Sequence, residues 1–292
     1  MTARLRGICL GLLATLLGAC GHPPDPAPSA ALPPAPARAQ RVISLDYCAD
    51  QYVVALLDRE HILRVSPHAT ATYSWVRDRA EGLPSVRPSA EDVLVLQPDL
   101  VVRSYGGGPR AGQFLAQAGI PVVQVPYVND IAGAKRSVEA MGAALGMPER
   151  GRALATRMTQ RLAALANQAT SDGPSVLYLP SSGVSAGPGT LIDEMIRTAG
   201  LRNFQRKAGW HPIPLERMAY EKPEVIALAF VGDRDPIVDA WSSATHPVAR
   251  RQVHTLPTVR LDSSWVACGG WFLVEAVEAL AGVAVVAEAA RR

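Results

Sequence analysis

The sequence predicts an α/β protein of two lobes, each a mostly parallel sheet with flanking helices, joined by one long α-helix. Three observations carry this prediction. Strand and helix signals alternate through residues 41–147 and again through residues 171–292, as in successive βαβ units. A single amphipathic stretch, Pro148 to Ala169, stands between the two runs. A thirteen-residue pattern also occurs once in each run.

The long stretch divides the chain. Leu154, Met158, Leu162 and Leu165 fall on one helical face, and Arg150, Arg152, Arg157 and Arg161 crowd the others. Pro148 and Glu149 suit a first turn, where a missing N–H costs nothing and a carboxylate meets the positive end of the helix. Ser171-Asp172-Gly173-Pro174 stops it. At 1.5 Å per residue the helix runs about 33 Å. The linking segment is set at residues 148–170.

In the first lobe, residues 41–147, strands are expected at Val42–Leu45, Ile62–Val65, Asp99–Arg103 and Pro121–Val125. Helices are expected at Ala49–Leu57, Ser89–Leu96, Ala111–Ala118 and Ile131–Leu145, the second capped by Ser89 with Glu91 and Asp92 in its first turn. In the second lobe, residues 171–292, strands are expected at Ser175–Leu179, Glu224–Phe230 and Thr258–Leu261. Helices are expected at Thr190–Ala199 and Leu215–Tyr220, from Val238 through Trp241, and from Gly270 to Arg291. Such sheets bind ligands beyond the carboxyl ends of their strands, so two facing lobes share one cleft.

The repeat aligns Ala90–Val102 with Leu215–Ala227 without a gap. In each copy a Glu, Glu91 or Glu216, opens a short helix. A Pro-acid pair closes it, and an apolar strand follows. Partnering of the helix dipole accounts for one such Glu but not for the shared register.

Residues 1–19 carry Arg4 and Arg6 and then a short apolar run, the layout of a cleaved export signal. They end in Leu17-Gly18-Ala19-Cys20, which resembles a bacterial lipobox and implies lipidation of Cys20. Residues 20–40 are rich in Pro and Ala, and read as an unpacked tether. The folded part is therefore expected to hang from a membrane by lipid on the periplasmic side, without spanning it. Loss of Arg4 and Arg6 lowers the formal charge from +3 to about +1. With no basic block and aromatics at 5%, nucleic acid is a poor partner.

The order of these features resembles the periplasmic substrate-binding proteins of ABC importers, class III (cluster A), which serve cobalamin, haem and ferric siderophores. The resemblance rests on the lipobox, the RVISL opening strand, the two Glu…Pro-Asp/Glu units, the AGPGTLIDEMIRTAGLRN segment and the linking helix. It implies a monomeric binding protein, without resident cofactor, that takes a metal chelate or corrinoid in the cleft. It also implies a permease dimer with its ATPase as partner. Glu91 and Glu216 match the surface glutamates that dock into arginine pockets on the two permease subunits, a contact that fixes orientation.

Ligand contacts are expected in the loops that follow strands, where scarce aromatics gather: Tyr47, Cys48, Tyr73, Trp75, Tyr105, Trp210, Arg234, Trp265 and Cys268. Ser104 to Gly108 supplies glycines that let backbone approach a ligand. His61, His68, His211, His246 and His254 show neither HxH nor HxxxH spacing, so no metal site is expected. Cys48 and Cys268 remain once Cys9 is cleaved and Cys20 lipidated; they pair as a disulfide, contact ligand or metal, or stay inert. A thiol-dependent exported enzyme using either cysteine is the alternative function, and a lipoprotein sensor or scaffold on the same fold is another. HExxH does not occur.

Overall fold

Short apolar runs bounded by turn residues form the strands of both main sheets. The computed structural model describes residues 39–166, 173–230 and 242–291, all within the unit Leu32–Arg292. In chain order the strands are β1 Val42–Ser44, β2 Ile62–Arg64, β3 Leu100–Arg103, β4 Val122–Gln124, β5 Ser175–Pro180, β6 Val184–Ala186, β7 Arg202–Asn203, β8 Trp210–Pro212, β9 Val225–Phe230 and β10 Thr258–Asp262. The helices are α1 Tyr47–Leu56, α2 Arg77–Ala80, α3 Ala90–Val95, α4 Ala111–Gln117, α5 Ile131–Ala144, α6 Pro148–Ala166, α7 Leu191–Thr198, α8 Leu215–Tyr220, α9 Pro247–Thr255, α10 Ser263–Val266 and α11 Leu273–Arg291.

Two four-stranded sheets result, in the orders β2-β1-β3-β4 and β10-β9-β5-β7. Every pair in both is parallel. Side-chain alternation sorts each strand between two cores. Val42, Leu100 and Val102 of the first sheet and Val176, Tyr178, Val225 and Ala227 of the second enter one shared cluster. That cluster also takes Ala155, Met158 and Leu162 of α6 and Leu273, Val277 and Leu280 of α11. The intervening residues face outward into separate clusters. Ile43 and Val101 belong to one, packed with Leu115 of α4, and Leu177, Leu179, Ile226 and Leu228 to the other. The lobes are thus joined by a continuous core as well as by a helix.

The linking helix is held from both sides. Gly142 of α5 and Gly151 of α6 meet so closely that a Cβ on Gly151 would lie 2.8 Å from the Val138 carbonyl oxygen and 3.0 Å from the Gly142 Cα. Arg150 donates to the Leu56 carbonyl and to Asp58, both at 2.8 Å. Arg161 forks onto Glu275 at 2.7 and 2.9 Å and onto Glu278 at 2.7 and 2.5 Å, fastening α6 to α11. Two of the four arginines that the sequence places around the apolar face are therefore structural ties.

The expected elements form within the described residues, with ends shifted by up to three residues; the expected end of the linking segment, residues 167–170, lies outside the described residues. The repeat yields two six-residue helices, α3 and α8. Ser89 caps α3, its Oγ accepting from the Asp92 N–H at 3.1 Å, and Pro214 stands at the matching place before α8. Five features were not anticipated: the short helix α2, the edge strand β7, the antiparallel pair β6–β8, helix α9, and the α10 turn that delays the last helix to Leu273. The expected helical stretch at Val238–Trp241 lies outside the described residues, as do residues 1–38. Among the described residues no helix is long and apolar enough to cross a membrane.

Candidate functional site

The first-lobe part of the site is organised by one buried carboxylate. Asp46 follows β1 and caps α1, accepting from the Ala49 N–H at 3.0 Å. Its other oxygen accepts from the N–H groups of Ser104, Tyr105 and Gly106 at 2.7, 3.0 and 2.9 Å. The loop after β3 is thereby bound to the start of α1. Gly106 is required there, because a Cβ would fall 2.3 Å from the Leu45 carbonyl oxygen. Arg103 holds the same loop from beneath, donating to the carbonyls of Gly106 and Gly108 at 2.8 Å each.

This clamp gathers three of the expected aromatics. Tyr47 meets Tyr73 edge-on with ring centroids 5.0 Å apart, and Tyr105 at 6.0 Å. The Tyr73 hydroxyl lies 2.9 Å from His68 Nδ1. Burial, followed by Tyr73 and the Asp46 charge, pushes the Tyr47 phenol up, so it stays protonated as a hydrogen-bonding group. Tyr105 remains about half exposed.

Asp50, one turn along α1, is fully buried. It accepts from the Ser44 hydroxyl and from Ser66 N–H and Oγ at 3.0 and 2.5 Å, which ties β1, α1 and the loop after β2. Desolvation outweighs those bonds and raises its carboxyl from 3.8 to about 6. A raised carboxyl pKa makes the contribution to stability full below about pH 4 and lost as pH rises through about 6. Wild type is therefore expected to lose up to about 3 kcal/mol relative to Asp50→Asn between about pH 4 and 7. Urea unfolding of both proteins across that range checks it. A constant difference would mean that Asp50 does not titrate there.

Cys48 and Cys268 form a disulfide with Cα atoms 5.7 Å apart. Cys48 is the second residue of α1, and Cys268 lies between α10 and α11, so the bridge joins the lobes. Other contacts cross beside it. Trp75 stacks on Phe272 at 5.8 Å, and Tyr52 meets Trp271 at 5.5 Å. Arg77 pairs with Asp262 at 4.0 Å. Further along, Glu194 of α7 accepts from the Ile131 N–H at the start of α5 at 2.8 Å.

Both lobes wall a cavity of about 290 Å³. Tyr127, Val128 and Asn129 come from the loop after β4; Gly189 to Ile192, Gly209, Trp210, Val266, Ala267 and Gly269 come from the second lobe. Of the described candidates Trp210 alone lines it, about half exposed on β8. Trp75 and Trp265 pack instead against the shared core. Arg234, with Asp233, lies outside the described residues, as does Cys20. Tyr127, 84% exposed at the cavity, was missed. Its signal was available: like the residues chosen, it is an aromatic in a loop following a strand.

Among the described residues no group of three or more His, Cys, Asp or Glu side chains could hold a metal ion.

Residues 42–236 match the family described as periplasmic binding proteins. The chain belongs to that family. A relative from Halobacterium salinarum named as a cobalamin-binding protein is 29% identical over 214 residues, 70% of this chain and 57% of the relative. The chain thus spans about 57% of the length of the curated relatives it matches. Solved structures agree on the fold. The heme-binding protein RhuT of Roseiflexus sp. RS-1 superposes with a TM-score of 0.65 at 24% identity, covering 87% of this chain and all of that one. A periplasmic heme-binding protein of Pseudomonas aeruginosa gives 0.63 at 24% identity, over 84% of this chain and 92% of its own. The vitamin B12-binding protein BtuF of Vibrio cholerae gives 0.63 at 20%, over 86% and 98%. The binding protein therefore has the class III architecture expected from the linking helix. The named relatives and neighbours are binding proteins, not enzymes.

Proposed function

We propose that the protein is a non-catalytic substrate-binding lipoprotein of an ABC importer. It captures a metal chelate or corrinoid, of the cobalamin, haem or ferric-siderophore type, between its lobes. It hands this to a permease dimer through Glu91 and Glu216. Lipid on Cys20 holds it to a membrane, facing the periplasm. The observation that carries the reading is the cavity walled by both lobes, with Trp210 and Tyr127 presenting aromatic surface to it. At about 290 Å³ it is at the small end of ligand clefts, so a bulky chelate inserts one edge or face and leaves the remainder outside. The disulfide leaves neither Cys48 nor Cys268 as a free thiolate, which sets the thiol-enzyme alternative behind transport.

Calorimetric titration with cyanocobalamin, haemin and a ferric hydroxamate siderophore tests this. One of the three is expected to bind with a Kd of about 1 µM or tighter, and Trp210→Ala to weaken it about tenfold. Failure of all three to bind more tightly than about 100 µM would refute the ligand class.

A further inference from the structure

The repeat has an outward face that the glutamates alone do not explain. In α3 and α8 the aligned residues Val93 and Met218 point inward and are buried, at 0% and 2% exposure. Four positions after each Glu, the aligned residues Val95 and Tyr220 point outward, at 83% and 92%. A spacing of four puts each on the same face as its Glu. The other acids of these segments have partners: Asp92 pairs with Arg87 at 3.2 Å, and Glu221 with Arg217 and Arg206 at 2.6 and 3.5 Å. Among the described residues Glu91 and Glu216 have none. Each lobe therefore shows an unpaired carboxylate beside an apolar side chain that is almost wholly in water.

Scattered exposed apolar residues need no explanation. Two at equivalent places in an internal repeat, each one turn from an unpaired carboxylate, are not scattered. We propose that Val95 and Tyr220 are the apolar anchors of the surface that meets the permease. The partner is two-fold related and offers a basic side chain beside an apolar hollow in each half, one for Glu91 with Val95 and one for Glu216 with Tyr220. Burying the apolar anchor excludes water from the neighbouring charge pair and strengthens it. The unlike side chains, valine and tyrosine, also make the two ends distinguishable. A near-symmetric partner then accepts the protein in one preferred orientation.

This inference rests on the docking role proposed for the two glutamates, and the test separates them. Binding of the full-length protein to the permease–ATPase complex in nanodiscs would be measured for Tyr220→Ser, Val95→Ser, the serine double variant, and Glu91→Gln with Glu216→Gln. Tyr220→Ser is expected to weaken association about tenfold and Val95→Ser by less, both with unchanged melting temperature. Weakening by the glutamine pair with none from the serine double variant would overturn the anchors and leave the docking role standing. No weakening from either pair would overturn both. A photo-reactive residue at position 95 or 220 should cross-link to a permease subunit; adducts to the ATPase alone, or none, would also overturn the anchors.

Discussion

Replacing Glu91 and Glu216 together by alanine is expected to abolish uptake of ligand while leaving its affinity within about threefold of wild type. The two carboxylates are exposed, lack partners among the described residues, and sit second in matching six-residue helices. Neither lies at the cavity. Truncating exposed side chains of this kind changes stability by about 0.5 kcal/mol or less, so lost transport would not reflect lost folding. Each single variant should retain part of the activity, since orientation would still be fixed at one end. Uptake of labelled ligand in cells, alongside calorimetry on purified protein, reads both quantities. Normal transport by the double variant would mean that the repeat serves only local helix structure.

Converting Cys48 and Cys268 to serine is the second large perturbation. The bridge closes a separation of 220 residues, and native disulfides contribute on the order of 2–5 kcal/mol. Its ends are well placed to transmit that constraint. Cys48 belongs to a helix capped by Asp46, and Cys268 leads into α11, which Arg161 fastens to the linking helix. The continuous core already brings the lobes together, so the lower half of the range is expected. This corresponds to a fall of roughly 5–10 °C in melting temperature for a chain of this size. Reductant should lower wild type to the level of the serine variant and leave the variant unmoved. Equal melting of all forms would show that the core alone fixes the lobes.

The contrast between what the sequence disclosed and what it withheld follows from range. Period and caps are local, so α3, α8 and the linking helix could be read directly, and the repeat revealed the two equivalent lobes. Short strands with no alternation left no trace: β6 and β8 have three residues each and are defined only by pairing with each other. That pair carries Trp210, so the residue was nominated without the element that presents it. Trp75 and Trp265 fared differently. Trp75 occupies a loop after a strand and Trp265 the short helix α10 directly after one, but the continuous core between the lobes takes both in, and nothing local in the sequence signals that core. The cysteines left three outcomes open for the same reason, since a 5.7 Å approach between distant segments depends on the whole fold. The role of Asp46 as acceptor for four backbone N–H groups is likewise non-local, three of them being some sixty residues away.

The central claim is that ligand sits between the lobes, and amide hydrogen exchange with and without bound ligand tests it most directly. The account predicts slowed exchange in segments of both lobes at once: Tyr127 to Asn129 in the first, and residues 189–192, 209–210 and 266–269 in the second. Protection confined to one lobe, or centred on the open groove beside β4 at Gly112, Ala116 and Gln124, would contradict it.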